Sequence, residues 1–135
     1  GRLTNVELAE RVGLSPSPCL RRVRILEEAG IIRGYQAVVD QGEVGLPVSV
    51  FVSVKLEKQR EDALQRFERA VRAFPEVLEC YTLTGTDDAI LKITVPYHVA
   101  LREFLTRFSE SQNVIDRVET CIVLEEIKEG ATLPI

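Results

Sequence analysis

Metal-binding and redox chemistry are thinly provided for in this sequence. It holds one histidine, His98, and three cysteines, Cys19, Cys80 and Cys121. The cysteines are odd in number and far apart, with no C-x-x-C spacing and no neighbouring histidine. That argues against a zinc site and a disulfide framework. They read as reduced, mostly buried thiols of a cytoplasmic protein. No apolar run approaches the roughly 18 residues that cross a bilayer, so no membrane partner is expected. No basic start, apolar stretch and small-residue cleavage site marks a signal peptide. A phosphate-cradling glycine loop and a nucleophile beside a base are absent too, so neither an enzyme nor a cofactor is expected. The acidic pairs Glu27/Glu28 and Glu125/Glu126 read as solvated faces.

The chain has 135 residues, 45% apolar and 28% charged, the composition of an ordinary globular protein. That length fits a small domain followed by a compact one. The net charge of −4 speaks against a nucleic-acid partner until its distribution is considered. Residues 1–45 carry six basic side chains (Arg2, Arg11, Arg21, Arg22, Arg24, Arg33) and six acidic ones. The whole deficit falls in residues 46–135, where eleven basic side chains face fifteen acidic ones. Any DNA contact must therefore come from a local patch.

The first part reads as helices. Thr4 and Glu7 form a capping box ahead of Val6, Leu8, Ala9 and Val12, and Gly13 ends that helix. A second helix follows, with Ser15 as its cap. Pro16 and Pro18 then fall in the first turn, whose N–H groups have no intrahelical partner to lose. Its apolar stripe is Leu20, Val23 and Leu26, and it runs to Gly30. Residues 31–39 read as a short strand or wing. Gly42, Gly45 and Pro47 mark a linker over 41–47.

The second part alternates strand and helix. Residues 48–56 are apolar at every even position, a half-buried strand. Ala63, Leu64, Phe67, Ala70, Val71 and Phe74 make an amphipathic helix that Pro75 stops. Strands follow over 77–84 and 89–95, joined by a turn at Gly85–Asp88. Leu101, Phe104, Leu105 and Phe108 mark another helix, and 114–125 a last strand. This β-α-β-β-α-β order is the ferredoxin-like unit. One face of its sheet packs on the helices, and an uncovered apolar face points to self-association. The expected fold class is α+β, with a winged helix-turn-helix segment over 1–40, the linker, and a ferredoxin-like domain over 48–135.

Two helices joined through Val12-Gly13-Leu14-Ser15 have the helix-turn-helix layout, which lays the N-terminus of the second helix in a major groove. That end offers free N–H groups and the positive end of a dipole, which suit phosphate. Ser15 and Ser17 add hydroxyls there. Arg21, Arg22 and Arg24 lie off the apolar stripe, free to neutralise phosphates or grip guanine.

The run from Asn5 to Arg24, with its continuation Leu26-Glu27-Glu28-Ala29-Gly30-Ile31-Ile32-Arg33-Gly34-Tyr35, resembles the helix-turn-helix signature of Lrp/AsnC transcription regulators. Pro75-Glu76-Val77-Leu78-Glu79-Cys80-Tyr81, Thr84-Gly85 and the run Glu119–Lys128 are similar to the same family's effector domain. The resemblance implies a regulator whose C-terminal domain senses an amino acid. It implies dimers formed through the sheet, often assembled into octamers, with the effector in clefts between dimers. The turn Gly85, Thr86, Asp87, Asp88 matches the pocket-forming loop, with Thr120 and Ile122 near it. Residues 32–39 correspond to a strand that pairs two DNA-binding segments. A two-fold dimer then implies a roughly palindromic double-stranded operator.

Two departures bear on this reading. Family members carry a further helix ahead of these two, so the native start is expected to lie outside the sequence. The family's loop reads Gly-x-aromatic-Asp, whereas here Asp87 takes the aromatic position. Two adjacent carboxylates would favour a cationic group on the effector, or else form a solvated acidic turn that holds no ligand. Two other readings stand beside the regulator. One is an enzyme resembling siroheme decarboxylases, which share both domains but need basic and histidine groups that His98 alone does not supply. The other is a sensor or scaffold that has lost DNA binding.

Overall fold

The computed structural model describes residues 16–128, 130 and 134. The expected first helix, its Thr4/Glu7 capping box, the Gly13 turn and the Ser15 cap lie outside them. The chain divides into two compact units, Gly1–Asp40 and Gln41–Ile135.

In the first unit, α1 spans Pro16–Glu28. Its two prolines sit in the first turn, where no helical hydrogen bond is lost. The helix ends in a Schellman motif. Gly30 takes a positive φ of 76°, its N–H donates to the Glu27 carbonyl, and the Ile31 N–H donates to the Leu26 carbonyl at 2.9 Å. The Tyr35 hydroxyl donates to the Glu27 carboxylate at 2.6 Å, which ties the following segment to the helix. Residues 33–40 form no regular element, so the strand expected over 31–39 is not made within the chain. A strand needs a neighbour for its N–H and C=O groups, and no described segment of this chain pairs with it.

The second unit opens on a closed turn where a linker was expected. The Gln41 carboxamide donates to the Leu46 carbonyl at 3.1 Å and to the Ser49 hydroxyl at 3.0 Å. The Leu46 N–H donates back to the Gln41 carbonyl at 2.8 Å. Then follow β1 (Val48–Leu56), α2 (Ala63–Ala73), β2 (Val77–Thr82), β3 (Ala89–Val95), α3 (His98–Gln112) and β4 (Ile115–Ile122). The strands form one sheet in the order β2-β3-β1-β4, antiparallel at every pairing, which is the ferredoxin-like arrangement.

Alternation along β1 sorts the two faces. Val50, Val52, Val54 and Leu56 are buried beneath the helices, with Leu91 and Ile93 of β3 beside them. From α2 come Ala63, Phe67 and Ala70, and from α3 come Leu101, Phe104 and Phe108. Four of the five phenylalanines meet between the helices. Phe67 and Phe108 lie edge to face at 5.9 Å, Phe74 lies edge to face on Phe104 and Phe108, and Phe104 stacks on Phe108 at 5.4 Å. Each such pair adds about 0.5–1.5 kcal/mol beyond its buried area. The fifth, Phe51, is partly exposed on the open face. There the register places it beside Lys92 and Cys121, and Ser53 beside Ile90 and Glu119. That face, expected to be apolar, carries Ser53, Lys92 and Glu119 among its apolar residues.

Two polar ties hold the helix layer. Gln112 is buried, its amide donating to the Phe108 carbonyl at 2.6 Å and its oxygen accepting the Val114 N–H at 2.8 Å. This closes the tight reversal at Asn113, whose φ of 52° lies in the left-handed region. Replacing Gln112 with Met keeps the volume and strands the Val114 N–H. Urea unfolding should show a loss of about 1–3 kcal/mol.

Arg107 donates to the Glu76 carboxylate and lies over the Phe74 ring at 5.6 Å. Burial pushes the Glu76 carboxyl up, but the hydrogen bond and charge of Arg107, with a backbone hydrogen bond, hold it below the ordinary value. A carboxylate depressed in the folded state stabilises above its unfolded pKa, and this is lost as pH falls through the folded value. Glu76→Gln should therefore be less stable than the wild type at neutral pH, the gap in urea midpoint closing as the pH is lowered through the carboxylate range.

Candidate functional site

Two regions hold the residues singled out from the sequence. The first is α1. Cys19 and Val23 are buried and Leu20 is half-buried, while Leu26 is more exposed than the stripe predicted. A helix advances about 100° per residue, so Arg21 and Ser17 point away from Cys19 and Val23, with Arg24 and Arg22 to either side of them. Ser17 and all three arginines are exposed, and none of the three arginines makes an ion pair among the described residues. The helix presents three exposed guanidinium groups within one turn of each other, without an ion pair to any described residue. Ser15 lies outside the described residues.

The second region is the loop between β2 and β3. Its base closes through the Leu83 N–H donating to the Asp88 carbonyl at 2.9 Å. The Asp88 N–H donates to the Val54 carbonyl at 2.9 Å, and its carboxylate accepts the Leu56 N–H at 2.8 Å. Asp88 is thus stitched to the end of β1 on both its backbone and side chain. Asp87 reaches one strand further, where its Oδ1 accepts a hydrogen bond from the Arg117 guanidinium of β4 at 2.8 Å. That bond, with the charge of Asp87, raises the Arg117 pKa further above its already high value. Gly85, at the tip, takes a φ of 117°, which a side chain would oppose. Thr86 beside it is exposed. Both carboxylates that the sequence offered to a cationic effector are therefore already engaged inside the chain.

Thr120 and Ile122 are exposed residues of β4 opposite Val52 and Val50. They share the helix-side face with those valines, whereas Arg117 lies opposite Lys55 on the open face. At about 3.3 Å per residue, Thr120 and Ile122 stand about 10 and 17 Å along β4 from Arg117. One chain does not bring them together with the loop.

Sequence reasoning missed Arg117 and the Leu56 amide. They lie 30 and 32 residues from their partners, and no local pattern signals such pairs. His98 is the exposed first residue of α3. Among the described residues no His, Cys, Asp and Glu side chains gather to hold a metal ion, and no helix is long and apolar enough to cross a membrane.

Comparison with known proteins gives two matching families. Residues 1–33 match a winged helix-turn-helix DNA-binding family, and residues 49–133 match the family described as Lrp/AsnC ligand binding domain. The chain is 38% identical over its full length to the leucine-responsive regulatory protein of Escherichia coli, spanning 82% of that protein. Its structure is similar to that of a transcriptional regulator from Neisseria meningitidis in complex with L-methionine. There the TM-score is 0.91 at 43% identity, covering 99% of this chain and 86% of the other. A feast or famine regulatory protein from Mycobacterium tuberculosis complexed with L-methionine also matches, with TM-score 0.81 and 31% identity over 96% of this chain and 86% of the other. These relatives are regulators, and nothing in them favours the decarboxylase reading.

The Asp88 carboxylate is the stitch that fixes the loop. Asp88→Ala should strand the Leu56 N–H at a cost of about 1–3 kcal/mol. Hydrogen exchange at the Leu56 amide should speed up in this variant while the core amides of β3 keep their protection.

Proposed function

The chain belongs to the Lrp/AsnC family of transcription regulators, and from that premise we propose how its two units divide the work. It is a DNA-binding regulator with an amino-acid-binding domain, and it is not an enzyme. In our reading α1 is the recognition helix. Ser17, Arg21 and Arg24 face the major groove, with Ser15 at the helix start and Arg22 reaching a flanking phosphate. The carrying observation is that exposed arginine cluster turned away from the buried Cys19 and Val23, with no ion pair to any described residue. Arginines so placed neutralise phosphates and read guanine O6 and N7.

The effector is a neutral amino acid of the methionine class, held by the loop Gly85, Thr86, Asp87 and Asp88 of one copy with Thr120 and Ile122 contributed from another. Two findings support this. Asp87 and Asp88 are occupied by Arg117 and the Leu56 amide. The similar Neisseria and Mycobacterium regulators were both solved with L-methionine. The separation of the loop from Thr120 and Ile122 within one chain supports a site shared between copies. The working form is then a homodimer through the open sheet face, where Phe51, Ile90 and Tyr81 lie among Ser, Lys and Glu, assembling further into an octamer. Residues 31–39 gain their missing strand partner from the second copy. The two-fold dimer reads a roughly palindromic operator in the cytoplasm.

The test is binding to upstream DNA at two salt concentrations, with and without L-methionine. Specific binding should fall with salt and shift when L-methionine is added. Arg21→Ala combined with Arg24→Ala should weaken binding and flatten the slope of log affinity against log salt by about 0.9 for each phosphate no longer neutralised. Wild-type protein that ignores every offered promoter would leave the scaffold reading standing instead.

A further inference from the structure

The loop between β2 and β3 carries two adjacent carboxylates, and Asp116 and Glu119 add two more on β4 beside it. Asp116 and Glu119 are close enough to Arg117 to act on it electrostatically. Around these negative charges stand the cations Arg117 and Lys55, and Lys58 and Glu57 line the same cavity as Lys55 and Asp116. Arg117 binds Asp87 directly, and Lys55 stands opposite Arg117 in the β1–β4 register. A surface that acidic, left uncompensated, would gather cationic amino acids and disfavour the carboxylate every amino acid carries. Among the described residues Arg117 is the cation bonded to a loop carboxylate, since the Asp88 side chain is held by the uncharged Leu56 N–H.

We infer that Arg117 is a specificity-determining residue: by neutralising Asp87 from the neighbouring strand, it makes the ligand loop select neutral over cationic amino acids. This rests on the reading of the loop as the effector site. Arg117 acts through Asp87 and is a positioning residue as well as a counter-charge. Its guanidinium spans from β4 to a loop that is otherwise fastened to β1. Thus the charge that shapes the loop is supplied by the strand that also carries Thr120 and Ile122. In the single chain the pair is solvent-accessible, Arg117 being 56% and Asp87 25% exposed at the side chain. Its effect is accordingly sized as that of a surface ion pair and not a buried one.

The decisive measurement is calorimetric titration of the full chain with L-methionine and with L-lysine, each in four forms of the protein. The wild type should bind L-methionine more tightly. Arg117→Gln should shift the affinity ratio toward L-lysine by roughly fivefold. Arg117→Lys, which keeps the charge, should retain the wild-type ratio, and Asp87→Asn with Arg117→Gln should restore it by removing the exposed acid. If Arg117→Gln weakens both ligands by the same factor, Arg117 is only a mechanical tie and the inference falls while the effector reading stands. If the wild type binds neither amino acid, the effector reading itself falls and takes this one with it.

Discussion

The antiparallel pairing of β1 along both its edges is the constraint from which the effector domain is built. Its even-numbered residues can be buried only because β3 and β4 satisfy the backbone on either side, leaving no polar edge under the helices. The four-phenylalanine cluster then has a continuous floor of Val50, Val52, Val54, Leu91 and Ile93 on which α2 and α3 lie. Shifting that register by one residue would turn Phe51, Ser53 and Lys55 inward, so the pattern of β1 specifies its own alignment.

The same strand sets the loop between β2 and β3. Asp88 attaches to its end through two hydrogen bonds, and the far side of β1 brings β4, with Arg117, within reach of Asp87. A hairpin loop that would otherwise be held only at its base is fastened to two further strands. Its shape is therefore a property of the sheet and not of its own few residues. A loop held in this way presents a prepared surface, which lowers the ordering cost of binding a small ligand.

Charge is partitioned along the chain. The excess of acid lies wholly in the second unit, with eleven basic and sixteen acidic side chains, and the first carries six basic and five acidic, three of its arginines concentrated on one short helix. An acidic effector domain repels phosphate and leaves attraction to α1. With α1 proposed as the recognition helix, this arrangement favours contact there, and the overall charge of −4 is no obstacle to binding DNA.

Periodicity in the sequence was enough to determine most of the elements. The two-residue alternation of β1, the helical spacing of Phe67, Phe74, Phe104 and Phe108, and the stops at Pro75 and Gly30 each act over a few neighbouring residues, and the structure places elements there. The helix-turn-helix run and the Gly85–Asp88 turn were legible for the same reason, as were the exposed arginines. What only the tertiary structure decided are pairings between distant residues. Whether Asp87 and Asp88 stand free depended on Arg117 and on the Leu56 amide, far away in the chain and brought near by sheet order. The strand expected over 31–39 depended on a neighbour that this chain does not supply among its described residues. Local propensity is written into adjacent residues, but the fate of a charge or an unpaired strand is set by whatever the fold brings beside it.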